Sequence, residues 1–325
     1  MDRIVKARTR RERRSFFAYF PPGSAPARPS RRPRRGDSPL FRCRYELLLA
    51  LRGGRVAGRV MVGAGPGRGR GFLARFAADD PPAGEAILRA AIGRCAALGC
   101  EYLSGPVPFA WHDYGRGVLA YGDRGRVPLL CADDPSWGAE LFERCGFSPS
   151  AELRSYSAPM DAPALTAAAA AGEWAARRFR YESAWERGDP RGVGAAIREA
   201  KSSLNPRGPL AYDPRARAWK RLLAESEGAR LATVSKGGAR VGYAIALRGS
   251  GGRVRVATAY VAPSVRGRGA AAALLAFLIR EFRVEGVETL ELSFIDSGNG
   301  PSRRLAERLC GAATHIHREY ELRLR

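Results

Sequence analysis

Two pairs of strand-like segments, each joined by two glycines, constrain the fold of this chain more than any other feature. They are residues 45–51 and 55–62, joined at Gly53-Gly54, and residues 229–235 and 239–247, joined at Gly237-Gly238. Paired glycines between such segments predict a β-hairpin, because glycine adopts the positive φ angles of tight turns. After each hairpin the sequence predicts a strand, a long helix (residues 84–98 and 269–285), another strand and a final helix. The chain is therefore predicted to contain one α/β domain twice in tandem.

An alanine-rich segment separates the two halves of the 325-residue chain. Residues 161–172 carry a single charge. We interpret them as a linker between an N-terminal domain, residues 1–160, and a C-terminal domain, residues 173–325. Each domain is long enough to bury its own core.

A basic, glycine-punctuated turn in the second half has the composition of an anion site. A strand-like run ends at Pro263, and Arg266-Gly267-Arg268-Gly269 then leads directly into an apolar helix. The first backbone N–H groups of a helix have no intrahelical acceptor and lie at the positive end of its dipole. Glycines let a ligand approach the backbone closely, so the turn predicts a seat for a phosphate or pyrophosphate. The alternative is an Arg/Gly-rich turn without a ligand.

This segment resembles the acyl-CoA loop of the GNAT superfamily of N-acetyltransferases. The family pattern [QR]-x-x-G-x-[GA], placed between a strand and a helix, is filled by Arg266, Gly269 and Ala271. The resemblance implies acetyl-CoA as cosubstrate and no metal. It implies that the CoA-binding residues are Ala259, Val261, Arg266, Gly267, Arg268, Gly269, Ala270, Ala271 and Asn299.

Short segments of the first half resemble a group of bacterial two-domain GNAT-like proteins. They are residues 76–80, 105–109, 134–135 and 145–147. The resemblance then covers nearly the whole chain. It implies an α/β (α+β) fold of two tandem GNAT-like domains, each a mixed, mostly antiparallel sheet flanked by helices.

The resemblance also implies where the chemistry takes place. Strands containing residues 257–261 and 288–294 would splay apart to admit the pantetheine arm, and the Val261 N–H would polarise the thioester carbonyl. Asn299 would hold a pantetheine amide, or it is simply a turn and helix-start residue. Ala306 stands where the family often has a tyrosine that protonates the leaving thiolate. Tyr260 and Tyr320 are possible substitutes, and the residues do not decide between them.

An amine acceptor must lose a proton, which calls for a base. Asp296, at the end of the second strand, is the best-placed carboxylate, and Glu291 is the other. The segment 296–299 is equally readable as a plain turn. Residues 111–114, Trp-His-Asp-Tyr, form a candidate acceptor-binding loop in the first half.

Two comparisons restrict CoA binding to the second half. The glycine-rich run 63–71 is followed by a strand-like segment instead of a helix, so it predicts a connection between strands. The helix of the first repeat begins after Asp79 and Asp80, whose carboxylates would repel a pyrophosphate. We therefore expect the acyl-CoA site in the C-terminal domain alone.

Composition limits the partners and the cellular location. The net charge of +23 would attract polyanions, but only four basic residues are lysines and the arginines are scattered, which argues against a dedicated nucleic-acid surface. The basic runs 8–14 and 28–35 are interpreted as a solvated helix face and a loop, with a nucleic-acid arm or a targeting signal as alternatives. Without a Cys-x-x-Cys pair or a signal-peptide segment, the chain is expected to be reduced and cytoplasmic.

The histidines and the apolar runs predict neither a metal site nor a membrane-spanning segment. His315 and His317 lie at i, i+2 without a third ligand, so we expect an ordinary half-exposed strand and no metal. No apolar stretch is long enough to cross a membrane. The sequence thus predicts an N-acetyltransferase acting by direct attack of an amine-bearing small molecule or peptide on acetyl-CoA. The alternatives are a non-catalytic acyl-CoA sensor or scaffold, and a tRNA-dependent aminoacyltransferase of related tandem fold.

Overall fold

The computed structural model describes residues 2–19, 43–65, 69–107, 116–128, 131, 135–186 and 228–324. These residues form two compact units. The first contains the described residues up to Leu153 and from His315 onwards, and the second contains those from Arg154 to Thr314.

The first unit is a mixed sheet with helices. Its elements in chain order are β1 (Arg3–Lys6), α1 (Arg10–Ala18), β2 (Tyr45–Arg52), β3 (Arg55–Ala64), β4 (Arg70–Ala78), α2 (Pro81–Ala97), β5 (Tyr102–Val107), β6 (Val118–Tyr121), α3 (Gly138–Arg144), the start of β7 (Ser148–Pro159) and β13 (His315–Arg323). The strand order is β1-β2-β3-β4-β5-β13, and β6 also pairs with β13. Only β4 and β5 run parallel among the registered pairs of this unit.

The second unit repeats this plan. After the end of β7 come α4 (Pro163–Phe179), β8 (Tyr181–Glu186), β9 (Ala229–Lys236), β10 (Ala239–Arg248), β11 (Arg253–Val261), α5 (Ala270–Val284), β12 (Thr289–Asp296) and α6 (Gly300–Cys310). The strand order is β8-β9-β10-β11-β12, in which β11 and β12 run parallel and the other pairs are antiparallel. Helix α5 connects the two parallel strands as α2 does in the first unit, so the predicted tandem repeat is confirmed.

Apolar side chains of the strands and helices are buried together in each unit. In the first unit Ile87 and Leu88 of α2 pack with Val60, Leu73 and Phe142. Phe16 of α1 packs with Leu49 and Met61 in a second apolar cluster of the same unit. In the second unit Leu274, Leu278 and Phe282 of α5 are all at most 3% exposed. Both hairpins lie where the paired glycines predicted them, with positive φ at each of the four glycines.

The segment expected as a linker is mostly helix. Residues 163–172 form the first part of α4, because alanine has the highest helix propensity and Pro163 stands at a first-turn position that tolerates proline. The boundary at the C-terminus also differs from the expectation. The last strand, β13, pairs with β5 and β6 of the first unit, although its sequence follows the second domain. Nothing in the sequence indicates that this last strand pairs with strands of the first unit.

The remaining elements and side chains agree with the sequence predictions only in part. Strand β1 was not predicted, whereas the amphipathic helix after it is present as α1. The strands flanking the glycine-rich run 63–71 pair antiparallel as β3 and β4, so that run connects strands, as expected. His315 and His317 are 4% and 0% exposed, so the expectation of a half-exposed strand was wrong. None of the six cysteines forms a disulfide bond. No helix within the described ranges is long and apolar enough to span a membrane.

Candidate acyl-CoA site

Strands β11 and β12 separate halfway along their length. Their parallel pairing begins at Arg253 and Thr289 and ends at Val256 and Leu292, although both strands continue for several residues. On the other side β11 remains paired with β10 up to Val261. The two strands therefore diverge at the position that the resemblance implied.

A β-bulge marks the point of separation. Ile245 of β10 faces Thr258, while the next residue, Ala246, faces Val256, so Ala257 is the extra residue of β11. A bulge bends its strand and increases the local twist. On β12, Phe294 has a φ of 56°, which shows that this strand is irregular beyond the separation as well.

The hydrogen-bonding alternation of β11 directs two backbone groups into the gap. The amide of Ala262 donates to the carbonyl of Val241 (2.8 Å), so this pair is hydrogen-bonded and the neighbouring pair of Gly242 and Val261 is not. In antiparallel pairing, a residue of a non-bonded pair points its N–H and C=O away from its partner. Val261 therefore presents its N–H on the side of β12, and Ala259, two residues earlier, does the same. Both residues lie beyond the last pair with β12.

The turn after β11 leads into a helix that no side chain caps. Gly267 and Gly269 have φ of 73° and 81°, and Gly269 is the N-cap of α5. The first intrahelical bond runs from the amide of Ala273 to the carbonyl of Gly269 (2.9 Å), which leaves the amides of residues 270–272 at the positive end of the helix. Ala270 is buried, whereas Ala271 is exposed. The chain thus forms the uncapped helix start that the sequence predicted.

The two arginines of the turn have different roles. Arg266 donates from Nε to the carbonyl of Val261 (3.0 Å), and its guanidinium lies 5.9 Å from the ring centroid of Tyr260. It therefore ties the turn to the end of β11. Arg268 is exposed, and its amide donates to the carbonyl of Val265 (3.2 Å). Its positive charge stands beside the start of α5 and is available to an anion there.

The corresponding helix of the first unit is capped by its own residue. Asp80 Oδ1 accepts a hydrogen bond from the amide of Ala83 (2.9 Å) and another from Arg52 (3.1 Å). The hydrogen bonds from Arg52 lower the pKa of Asp80, so the carboxylate stays charged at this helix start. Within the described residues, β4 and β5 pair up to Ala74 and Val107, the last residue of β5. The first unit therefore lacks the uncapped helix start of the candidate site.

Two proposed site residues of the second unit form local turns. Asp296 Oδ1 accepts from the amide of Gly298 (2.8 Å), and its carbonyl accepts from the amide of Asn299 (2.8 Å). Asn299 is the N-cap of α6, and its Oδ1 accepts from the amide of Ser302 (3.3 Å). These bonds fit the turn and helix-start alternatives. Glu291 is 2% exposed and forms an ion pair with Arg253, which makes it unsuitable as a base.

The tyrosines considered as proton donors lie in different units. Tyr320 belongs to the first unit, where its ring stacks on Phe142 (centroids 5.1 Å apart) and its hydroxyl donates to Glu143 (3.3 Å). Burial raises its pKa to about 12. Tyr320 is thus a core residue of the first unit. Tyr260 is on β11 and is 9% exposed, while Ala306 on α6 is fully buried.

Sequence reasoning missed the contribution of α4 to the site. The Cβ of Ala175 and two ring atoms of Phe179 lie within 3.3 Å of the position that a Cβ on Gly269 would occupy. The helix therefore packs directly against the glycine that begins α5. The small residues of segment 161–172 were the available signal, because small side chains permit close helix packing. Candidate loop 111–114, and residues 108, 109 and 134 of the resemblance, lie outside the described residues.

The family profile of the Acetyltransferase (GNAT) family matches residues 195–312. This range includes β9 to α6, and with them the separated strands and the uncapped helix start. The C-terminal region of this chain is a GNAT-family domain. Members of this family are generally acyltransferases that use acyl-CoA. No curated protein matches the chain significantly.

Solved structures extend the fold assignment to the whole chain. A tandem GNAT protein from the clavulanic acid biosynthesis pathway, solved without AcCoA, matches with a TM-score of 0.61 at 14% identity, covering 100% of this chain and 99% of that one. FemX matches with a TM-score of 0.51 at 11% identity, covering 98% and 97%. A GCN5-related N-acetyltransferase from Sphaerobacter thermophilus matches with a TM-score of 0.50 at 17% identity, covering 86% of this chain and 81% of that one. At these identities the matches show the tandem GNAT fold alone.

No group of three or more His, Cys, Asp or Glu side chains that could hold a metal ion occurs among the residues with described positions.

Proposed function

We propose that the second unit binds acetyl-CoA and transfers its acetyl group to an amine. The observation that supports this most strongly is the continuity of two features. The N–H of Val261 faces the gap between β11 and β12, and the uncapped start of α5 follows eight residues later at Gly269. One strand, turn and helix thus offer a polar edge for a thioester arm and a positive helix end for a pyrophosphate.

Different residues of the second unit would bind different parts of acetyl-CoA. The amides of Gly269, Ala270, Ala271 and Ala272, with the charge of Arg268, would hold the pyrophosphate. Gly267 has space for a closely approaching ligand, because a Cβ there would meet nothing within 4 Å. The backbone of Ala259 and Val261 would bind the pantetheine arm as a neighbouring strand does. Asn299 Oδ1 caps α6, and the amide nitrogen of the same side chain would donate to the pantetheine arm.

The thioester supplies an activated acyl carbonyl, and the protein would stabilise charge and move protons around it. The Val261 N–H would donate to the carbonyl oxygen, which becomes negative as the amine attacks. Arg266 holds the Val261 carbonyl (3.0 Å) and so keeps this segment in place. Asp296 uses one oxygen for Gly298, and its second oxygen would accept the proton of the amine. Ala306 has no proton to donate, so water would protonate the thiolate.

A non-catalytic acyl-CoA-binding protein is the second candidate. It is favoured by the state of the residues that would transfer protons. Asp296 is engaged in a turn, Glu291 is buried against Arg253, and the position of the family tyrosine is the buried Ala306. Acetyl-CoA binding is common to both candidates, and turnover separates them.

Ala271→Glu, compared with Ala271→Gln, tests the binding site by calorimetry with acetyl-CoA. Ala271 is exposed in the first turn of α5, where a carboxylate stabilises the helix by about 0.3–1 kcal/mol and repels a pyrophosphate. We expect the Glu variant to unfold at an equal or higher temperature and to bind acetyl-CoA at least about tenfold more weakly, a loss of about 1.4 kcal/mol. The Gln variant should bind like the wild type. Unchanged binding by the Glu variant, or no binding by the wild type, would overturn the proposal.

Release of free CoA over a panel of amines and short peptides tests catalysis. A thiol reagent detects the product, and Asp296→Asn provides a variant that keeps the size of the side chain and removes its charge. We expect amine-dependent release that falls in this variant. Binding of acetyl-CoA without release from any amine would favour the non-catalytic candidate. Retention of charged tRNA that resists salt would instead favour aminoacyl transfer.

A further inference from the structure

An exposed tryptophan on α4 forms a platform with two neighbouring residues. Trp174 is 54% exposed, although large apolar side chains of this kind are usually covered. The guanidinium carbon of Arg178 lies 4.8 Å from the centroid of the Trp174 ring and 5.4 Å from that of the Phe179 ring. Arg178 is thus held by cation–π contacts to both rings. These three residues are termed the Trp174 platform.

The platform adjoins the turn that begins α5. Two ring atoms of Phe179 lie 3.2 and 3.3 Å from the position of a Cβ on Gly269. Since Arg178 contacts the same Phe179 ring, its charge is one side chain away from the start of α5. The side of the turn that carries Gly269 is therefore continuous with an exposed aromatic surface and a positive charge.

Helix α4 is fixed against α5 along its length. Near its start, Arg283 of α5 donates to the hydroxyl of Thr166 (2.7 Å) and to the carbonyl of Met160 (3.0 Å). In its middle, Gly172 packs against the backbone of Ala272 so closely that no side chain would fit. The platform thus occupies a constant position relative to the turn, as a binding site requires.

We propose that the Trp174 platform binds the 3′-phosphoadenosine end of CoA. This inference rests on the proposed function and adds a subsite to it. A pyrophosphate at the start of α5 carries its adenosine within a few covalent bonds, so the adenine must come to rest close to the turn. Arg178 covers one face of the Trp174 indole, so the adenine would stack on the other face, and the Arg178 guanidinium would pair with the 3′-phosphate. A flat aromatic ring beside a fixed cation is complementary to a purine base and to a phosphate.

Helix electrostatics alone explains only part of this arrangement. Arg177 and Arg178 both lie in the last turn of α4, where positive charge compensates the helix dipole. That effect is the same for both residues, and it does not account for an exposed tryptophan stacked on one of them. Arg177 is exposed and adjacent, so it serves as a matched control for charge.

Calorimetry with CoA and with 3′-dephospho-CoA tests the pairing of Arg178. We expect the wild type to bind CoA about tenfold more tightly than 3′-dephospho-CoA, as one charge-assisted contact would give. Arg178→Gln should abolish this preference by weakening CoA alone, and Arg177→Gln should keep it. Equal affinity of the wild type for both ligands would overturn the subsite and leave the proposed function standing. Failure of the wild type to bind either ligand would overturn both.

Trp174→Leu tests stacking with a third ligand, 4′-phosphopantetheine, which lacks the adenosine. The variant should bind CoA and 3′-dephospho-CoA about tenfold more weakly, within the range for base–aromatic stacking, and should bind 4′-phosphopantetheine like the wild type. Equal weakening of all three ligands would indicate damage to the turn and would overturn the stacking role. Unchanged binding of CoA would overturn it as well.

Discussion

The methyl group of Ala175 lies 2.7 Å from the position that a Cβ atom on Gly269 would occupy. Gly269 also has a φ of 81°, which residues with a side chain adopt only at a cost. Two independent constraints thus require glycine at the start of α5, and both come from the protein itself. Gly267, two residues earlier, has a similar φ of 73° but open space around its α-carbon. The two glycines of one motif therefore serve packing and ligand access separately.

Gly269→Ala and Gly267→Ala should differ in stability more than in binding. We expect Gly267→Ala to lose about 1 kcal/mol of unfolding free energy from backbone strain, and Gly269→Ala to lose about 2–4 kcal/mol because the contact with Ala175 adds to the strain. Both should weaken acetyl-CoA binding, Gly267→Ala through a methyl group in the space for the ligand. Urea denaturation and calorimetry measure the two effects. Equal stability of the two variants would contradict the close packing of α4 on the turn.

Gly172→Ala sets helix propensity against packing. In a helix interior, alanine is more favourable than glycine by about 1 kcal/mol. At Gly172, however, a methyl group would collide with the backbone of Ala272 and approach the Cβ of Ala276 to 2.6 Å. Overpacking of this kind costs about 1–3 kcal/mol, so the net effect should be destabilising.

Gly93→Ala is the matched control for this prediction. Gly93 lies inside α2, is exposed and has nothing within 4 Å of its Cβ position. Propensity acts there alone, so the variant should be more stable by about 0.5–1 kcal/mol. If thermal unfolding shows the same sign for Gly172→Ala and Gly93→Ala, the tight contact between α4 and α5 is wrong.

Ala306→Tyr restores the family residue but should not restore an acid. Ala306 is completely buried in α6, so a phenol ring has no space without displacing its neighbours. We expect a loss of about 1–3 kcal/mol in unfolding free energy and no gain in the rate of CoA release. A stable variant with faster turnover would show that the position opens to the acyl site.

The sequence predicted the repeated elements because their signals are local. Paired glycines, helical periodicity and the basic turn each depend on a few adjacent residues, and β2, β3, β9, β10 and α5 lie within two residues of their expected bounds. The acidic start of α2 could also be predicted from the sequence, because the cap is local. Asp80 accepts a hydrogen bond from the amide of Ala83, three residues later. Family resemblance added the separation of β11 and β12, which no local pattern encodes.

The features that sequence reasoning missed depend on long-range packing. Tyr320 was considered for the second-unit site because it follows that domain in sequence, but β13 pairs with β5 in the first unit. Likewise, alanines 167–171 were interpreted as a linker, since an alanine-rich segment shows no amphipathic pattern. The close packing of Gly172 and Ala175 on α5 shows that the helix containing these alanines supports the start of α5.

Glu46 should make the stability of the first unit depend on acid pH. Its carboxylate is 5% exposed and accepts hydrogen bonds from Arg94 (2.6 and 2.8 Å) and Lys6 (2.7 Å). Arg94 first, and Lys6 after it, lower the pKa of Glu46 from 4.5 to about 2. Because the folded-state pKa is the lower one, the stabilisation is complete above the unfolded value and is lost as the pH falls from 4.5 towards 2.

Glu46→Gln should therefore lower the unfolding free energy at neutral pH by up to about 3 kcal/mol and flatten its decline in acid. Glu85→Gln is the control, because Glu85 pairs with Arg89 on an exposed helix face (2.7 Å), where such a pair contributes about 0.3–0.5 kcal/mol. Urea denaturation of both variants across the acid range measures the difference. A wild type whose stability is constant between these two pKa values would contradict the buried ion pair, whereas a decline that persists in Glu46→Gln would assign it to other carboxylates.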